Sequence, residues 1–587
     1  MNARLEPLAR KAACLLIPSL ILSCLLIFFS FFTRAAYAQQ ASEPVHATGS
    51  NLLRVGDGST TDQNGNTFDK RYFEEIADAR LFFNYFSLGL RYEMDDPSEV
   101  GRSYTDREFR RRWLTYRKDQ LELTAGDVPA LFGRGLAVDC FESRPLNYDS
   151  WLDGVFGRTQ YNVPSDWLDL DASIAIKGVG GQEDFYPVPL STSTQLLVQD
   201  TIPMHISARA ADMELGFFKK RVTLGATFLQ AFTTTNIPAG RGIIQTTTRQ
   251  VNQPDFFADI NSGEFEAFAE WTENRNQVNE YLSSPLDTSH TGHALYGSLS
   301  YSNSFIGLTF DYKNYSYFLH QPGDPFTNVF SKLPISSPPE VYKDYTWTSI
   351  TRTTHAVNFD DELGYQLEAN ITAIPQVVLD LNAAASSSHD KYDPGGAVLD
   401  STSIFPKLND VGFYPYWEIY GEAEWDFDPN NDLNFLKFAV HRRNEVVAYT
   451  PGTGLADERW STTIAGKFQY ETTPTQSLLA IWEHQWAFDG SLGTNDKRRI
   501  NELITLQYSF NPLITFGGIL DKSFFYAESP FATDGTWGQG FISLRLGGSH
   551  SLLASYGSER GGLNCTGGIC RVVPPFKGLR LTLTSQI

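Results

Sequence analysis

Six ionisable side chains crowd one stretch of the chain: Arg134, Asp139, Glu142, Arg144, Asp149 and Asp153. Gly133 and Gly135 bracket the first of them, and glycine tolerates positive φ and lets a backbone approach a partner closely. Charges of both signs in a connection that folds into an aqueous passage narrow it and select what goes through. Paired with one another, the same charges merely hold the connection in shape. The residues support both readings, and the six stand as candidates for a pore constriction.

Other chemistry is thinner. Asp426-x-Asp428-x-Asn430-x-Asp432 has the oxygen spacing of a calcium loop, but Asn431 stands where that loop needs Gly and Lys437 where it needs Glu. Pro429-Asn430-Asn431 is also a plain hairpin turn, and the missing Gly and Glu favour that reading. Ser289-His290, Ser388-His389 and Ser549-His550 join a nucleophile to a base in sequence only, since neighbours on a strand point to opposite faces. No Gly-x-Ser-x-Gly and no zinc-spaced His/Cys cluster occurs. No catalytic residue, metal or cofactor is therefore expected, although two carboxylates meeting across a cavity in the manner of a glycosidase stay open as an arrangement. Cys565 and Cys570 sit in a Gly-rich stretch between strand-like segments and read as a disulfide staple in an exported chain, leaving Cys140 without a role.

The elements that must position these groups read as strands behind a leader. Arg4, Arg10 and Lys11 precede an apolar run from Ala12 to Phe32, and Ala36-Tyr37-Ala38 offers a signal-peptidase site, so residues 1–38 read as a signal peptide. An uncleaved anchor, or a lipoprotein through Cys24, are the alternatives. Beyond the leader, segments of about ten residues alternate apolar and polar. Leu579, Leu581 and Leu583 share one face, and Arg580, Thr582 and Thr584 the other; Trp417, Ile419 and Trp425 oppose Glu418, Glu422 and Glu424.

A soluble sandwich alternates too, and connection lengths discriminate better. Tight turns near 118–119, 218–219, 303–304, 374–375, 429–430, 474–475, 511–512 and 549–550 alternate with long polar stretches at 128–151, 179–202, 233–254, 273–291, 318–353 and 387–411. Short turns at one end and long loops at the other mark a transmembrane β-barrel. The expected fold is all-β, a transmembrane antiparallel barrel of about 20–24 strands spanning residues 39–587, with no separate plug domain and with loop 128–151 available to fold inward.

The polar faces then point into the lumen. The candidate lining residues are Arg80, Arg91, Glu122, Asp311, Lys313, Glu418, Glu422, Glu424, Lys467, Arg545 and Arg580. Trp113, Tyr116, Tyr315, Tyr317, Trp417, Trp482 and Trp486 are placed in the interfacial girdles. The composition agrees: 47 Lys+Arg against 68 Asp+Glu gives a net charge of −21, which excludes a general nucleic-acid binder. Removing the leader takes four basic residues and one acid, so the mature balance is 43 − 67 = −24.

The segment from Gly126 to Gly154, with its Gly-x-Gly-Leu turn, its Glu142-x-Arg144-x-Leu146 element and the closing Asp153-Gly154, resembles an uncharacterised family of bacterial outer-membrane β-barrel proteins. More distantly, it is similar to alginate-export-type porins. The resemblance implies the fold and the cell outer membrane as location, and no substrate. The chain ends in Ile587, where such barrels often end in an aromatic residue. Together these readings lead to the expectation of a channel for small polar solutes or a polysaccharide. Its partners would be outer-membrane lipid and the barrel-insertion machinery. A surface-interaction barrel with acidic loops is the rival, and a barrel-embedded hydrolase the third reading.

Overall fold

The computed structural model describes residues 45–587 apart from 62–65, 100–104, 164–170, 187–202, 239–243, 282–286, 317–332, 395–396, 432, 451–454, 491–497, 525–534 and 567–568. Residues 1–44, and with them the leader, lie outside the described residues. Twenty-four strands form a single antiparallel sheet. Each pairs with its neighbour in sequence, and the last, Phe576–Gln586, pairs with the first, His46–Thr61, so the sheet closes on itself. Closure leaves no edge strand with unpaired amides. Short turns such as Asn84–Tyr85, 119–120, 303–305 and 512–513 lie at one end with both strand termini, and the long connections at the other.

Alternation separates the faces as the sequence implies. Outward, Met213, Ala226, Phe256, Trp271 and Leu295 oppose one another across five strands, and Met213, Phe256 and Trp271 are exposed. Two steps nearer the loop end, the outward row is Arg209, Gln230, Asn252 and Arg275. Arg209 Nε donates to Gln230 Oε1 (2.9 Å) and Gln230 Nε2 to Asn252 Oδ1 (2.9 Å). An apolar belt bounded by such a polar row is what a bilayer face and its interface require. Trp482 and Trp486 stand outward, as girdle residues do. Trp113 and Tyr315 do not: Trp113 faces inward against Arg80 and Trp151, and Tyr315 is fully buried inside with its hydroxyl donating to Pro339 O (2.8 Å). Tyr317 lies outside the described residues.

Two stretches expected as long connections, 233–254 and 273–291, are mostly strand, within Val222–Pro238, Ile244–Asn261, Phe265–Tyr281 and Asp287–Ser302. Their Thr-, Asn- and Gln-rich text shows no apolar face because the ladder continues past the apolar belt. The backbone pairing persists where the lipid-facing alternation has ended.

Chain packs into the lumen at the loop end. Two connections, 129–151 and 333–361, turn inward and pack on the wall. Phe132, Leu136, Val138, Cys140, Leu146 and Tyr148 from the first, and Leu333, Ile335, Val341, Tyr342, Val357 and Phe359 from the second, share one apolar cluster with wall residues such as Val179, Met204, Ile206, Leu229 and Val251. Small wall residues, Ala208, Ala210, Ala231 and Ala294, leave room for that packing.

Candidate pore-lining site

The first inward segment is held by a carboxylate. Gly133 (φ +56°) and Gly135 (φ +92°) turn the backbone so that successive amides converge. Arg134 N–H donates to Glu270 Oε2 (2.6 Å) and Leu136 N–H to Glu270 Oε1 (3.3 Å). Such a nest of amides binds an anion, here a side chain of the wall. A Cβ on Gly133 would lie 2.5 Å from Glu270 Oε1, so a larger residue there must displace that carboxylate. The Arg134 guanidinium reaches Glu266 (3.1 Å) and lies over the Phe268 ring, inside the barrel.

Three further candidates enter a buried ion cluster. Glu142 accepts from Arg91 Nη1 (2.8 Å) and sits 3.4 Å from Arg111 Nη2; Asp149 lies 2.9 Å from that same Arg111 nitrogen; Arg144 reaches Asp78 (3.2 Å). Arg111 is fully enclosed, its guanidinium 3.7 Å from the centre of the Trp151 ring. Burial would raise the Glu142 pKa, but the Arg111 and Arg91 guanidinium groups outweigh it and hold the carboxyl below its ordinary range. These charges therefore fasten the segment to the strands Thr67–Phe83, Phe86–Asp95 and Asp106–Lys118. The Asp139 N–H donates to Ile335 O (2.7 Å), tying it to the second segment.

Asp153 corrects its expectation. Its neighbour Leu152 is fully buried inward, which turns Asp153 outward, in one row with Asp127 and Arg112 and 3.5 Å from the Arg112 Nη2. It belongs to the outer face and lines no passage.

The second segment is fastened in the same manner. Glu483 of the wall accepts from Thr348 N–H (3.0 Å) and Ser349 N–H (2.6 Å), at the start of the single helical turn Thr348–Thr351. Glu362 accepts from Asn358 N–H (2.7 Å). Lys343 joins Glu368 and Asp380 (2.7 Å each). Tyr345 donates to Glu418 (2.8 Å), and Trp347 Nε1 to Glu422 (2.9 Å). The acidic stripe Glu418, Glu422 and Glu424 is thus answered by Tyr345, Trp347, His441 and Lys437 rather than left open.

The two segments also hold each other. Ser337 N–H donates to Gly135 O (3.1 Å), Ser336 Oγ to Leu136 O (2.7 Å) and the Tyr148 hydroxyl to Pro334 O (2.6 Å). No sequence signal marked the second segment as internal; its polar, Pro- and Ser-rich text reads as an outer loop.

The remaining lining candidates all fall on the inward face. Arg80 stacks on Trp113, Asp311 accepts from the Tyr296 hydroxyl (2.8 Å), and Lys313 lies 2.7 Å from Glu362. Arg580 lies 2.8 Å from Glu99. Lys467 opposes Lys437 in register, and Arg545 continues the inward alternation of its strand at the turn end. Glu122 pairs with Arg117 and Arg158 (2.8 and 3.0 Å), whose side chains are 66% and 57% exposed, so the lumen is hydrated toward the turns. Cys565 and Cys570 oppose one another directly in a two-stranded ribbon; their side chains lie outside the described residues. Cys140 is buried, and burial pushes its thiol well above the ordinary range.

A model of the family of unknown function DUF6029 matches residues 22–587, nearly the whole chain. The chain belongs to that family. No curated protein matches this DUF6029 chain. Among solved structures, it is similar to the siderophore receptor PirA from Pseudomonas aeruginosa, with 8% identity over 92% of this chain and 80% of that one and a TM-score of 0.42. The translocation pore of the P pilus usher PapC matches with 10% identity over 92% and 99% and a TM-score of 0.39. The copper transporter OprC matches with 9% identity over 94% and 81% and a TM-score of 0.41. The distant likeness to alginate-export-type porins has no counterpart among these three.

Proposed function

We propose that this DUF6029 protein is a cell outer-membrane channel for small polar solutes, narrowed at its loop end by the two inward segments. The observation that carries this reading is one closed wall with an apolar outer belt and a charged inner face, hydrated toward the turns and packed with chain toward the loops. The packing favours small solutes over a polysaccharide, which needs a wide continuous groove. We assign it no covalent chemistry, a position within outer-membrane lipid reached through the barrel-insertion machinery, and a Cys565–Cys570 disulfide.

The test is single-channel conductance of the full chain purified from outer membranes into a planar bilayer. Small, stable ohmic steps that grow when the segments are loosened by Glu270→Gln support the channel. Silence from a folded barrel, in the wild type and in the variant, overturns it. That outcome would favour the rival surface-interaction barrel, to which the tall strands Val222–Pro238 to Asp287–Ser302 give a platform beyond the polar row.

A further inference from the structure

Between the strands Val377–Ser387 and Tyr416–Asp426, residues 388–394 and 397–415 turn outward and lie on the outer wall as a flap. His389 Nε2 bonds Asn314 Oδ1 (2.9 Å), Asn314 Nδ2 donates to Ser403 O (2.7 Å), and the Tyr312 hydroxyl donates to Ile404 O (2.9 Å). Lys313 and Tyr315 point into the lumen, so Tyr312 and Asn314 point out; their opposite residues Tyr365 and Leu363 do the same. Leu363 is nevertheless completely buried and Ser387 nearly so, because this flap covers them. Its own fold is fixed by the ribbon Asp390–Tyr392 with Val398–Ser401 and by the ion pairs Lys391–Asp410 (2.7 Å) and Lys407–Asp400 (2.5 Å).

Phe413 of the flap is buried against the protein, but four other apolar residues of the flap are bare. Leu399 is 61% and Phe405 71% exposed, with Val398 and Ile404 similarly bare. A connection standing in water would not keep four large apolar side chains exposed together without a partner. The partner is given by continuity. Phe310 and Leu367, 43% and 50% exposed on the lipid-facing wall, lie one same-face step from Tyr312 and Tyr365, a separation of about 6.8 Å along the strand. The flap therefore hangs at the upper margin of the apolar belt.

We infer that Val398, Leu399, Ile404 and Phe405 insert into the outer leaflet, with a lipid surface as their partner. Apolar residues beside paired Lys and Asp groups suit the boundary between acyl chains and headgroups. The inference rests on the membrane placement proposed above, and the test separates the two.

A photoreactive benzophenone amino acid is placed singly at Phe405, at Leu399 and, as a wall control, at Leu367, in the full chain expressed in outer membranes. After illumination, adducts are identified by mass. Lipid adducts at 405 and 399, within about two-fold of the yield at 367, support the inference. Lipid adducts at 367 with none at 405 and 399, or with protein adducts there, overturn it and leave the membrane placement standing. The absence of lipid adducts at 367 overturns both.

Discussion

His355 Nδ1 lies 2.7 Å from Glu445 Oε1, a contact across ninety residues of sequence that binds the second inward segment to the strand Phe435–Thr450. The other ring nitrogen is 3.1 Å from Glu362, which also holds Lys313 (2.7 Å), while Glu445 also holds Arg443 (2.5 Å). Lys313, Glu362, His355, Glu445 and Arg443 thus alternate in sign, and all five are buried. The Tyr416 ring stacks on the imidazole at 3.9 Å. Burial alone would lower the His355 pKa; the carboxylates of Glu362 and Glu445 outweigh it and push it up to about 9.

The sign of the resulting pH dependence follows. A folded-state pKa of about 9, against an unfolded value of about 6.5, means that the stabilisation is complete below the unfolded value. It fades as pH rises through the folded one. Urea midpoints of the refolded barrel should fall between about pH 7 and pH 10, and His355→Gln should remove most of that dependence. The substitution should itself cost about 3–5 kcal/mol by breaking a buried charge chain. A variant with the wild-type midpoint and slope would deny the imidazolium this role.

Glu142 responds to acid instead. Its carboxyl is held below the ordinary range, so its stabilisation is complete above the unfolded pKa and is lost as pH falls through the lower folded value. Acidification should release the segment 129–151 before the wall unfolds, and Glu142→Gln should do so at neutral pH. Limited proteolysis mapped by mass is the readout. Cleavage in this segment that is no faster in the variant would count against the ion cluster as its fastening.

Gly133→Ala should disturb the same segment by another route. The new Cβ meets the Glu270 carboxylate and the residue must hold positive φ, a strain of about 1–3 kcal/mol. The measurement is open-channel noise and mean conductance, both expected to rise while the barrel still migrates as a folded species on a gel. Unchanged traces would mean that the amide nest does not govern the passage.

Asp153→Asn provides the contrast. Because that side chain faces outward beside Arg112, its conductance and ion selectivity should equal those of the wild type. Arg91→Gln, which opens the internal cluster, should shift both. A selectivity change from Asp153→Asn would place that residue in the conduction path after all.

The wall was legible in the sequence because a two-residue period reports its faces directly. The Glu418, Glu422 and Glu424 alternation follows from it, while the turn positions and the strand number came from the alternation of short and long connections. What lies inside the wall was harder to read. Internal connections are satisfied by hydrogen bonds to the wall, not by a periodic apolar face, so 333–361 carries no pattern that separates it from an outer loop. Gly133 and Gly135 signalled an unusual backbone but not its partner, since Glu270 lies five strands further round the barrel than 152–162. Asp153 was misplaced because charge density is counted along the chain, whereas orientation changes with each residue once a strand begins.

The bonds between Leu136 and Ser336 join residues 200 apart in sequence, and this sets an order of assembly. The first segment pairs with itself through Ala130–Phe132 and Val138–Cys140, but the amides of Arg134 and Asp139 find their acceptors only once Glu270 and Ile335 are in place. The sheet becomes a tube only when Phe576–Gln586 meets His46–Thr61. Both segments should therefore be gathered while that seam is still apart, when the wall does not yet surround them. Whatever holds the nascent sheet open thus also decides whether the finished tube is filled.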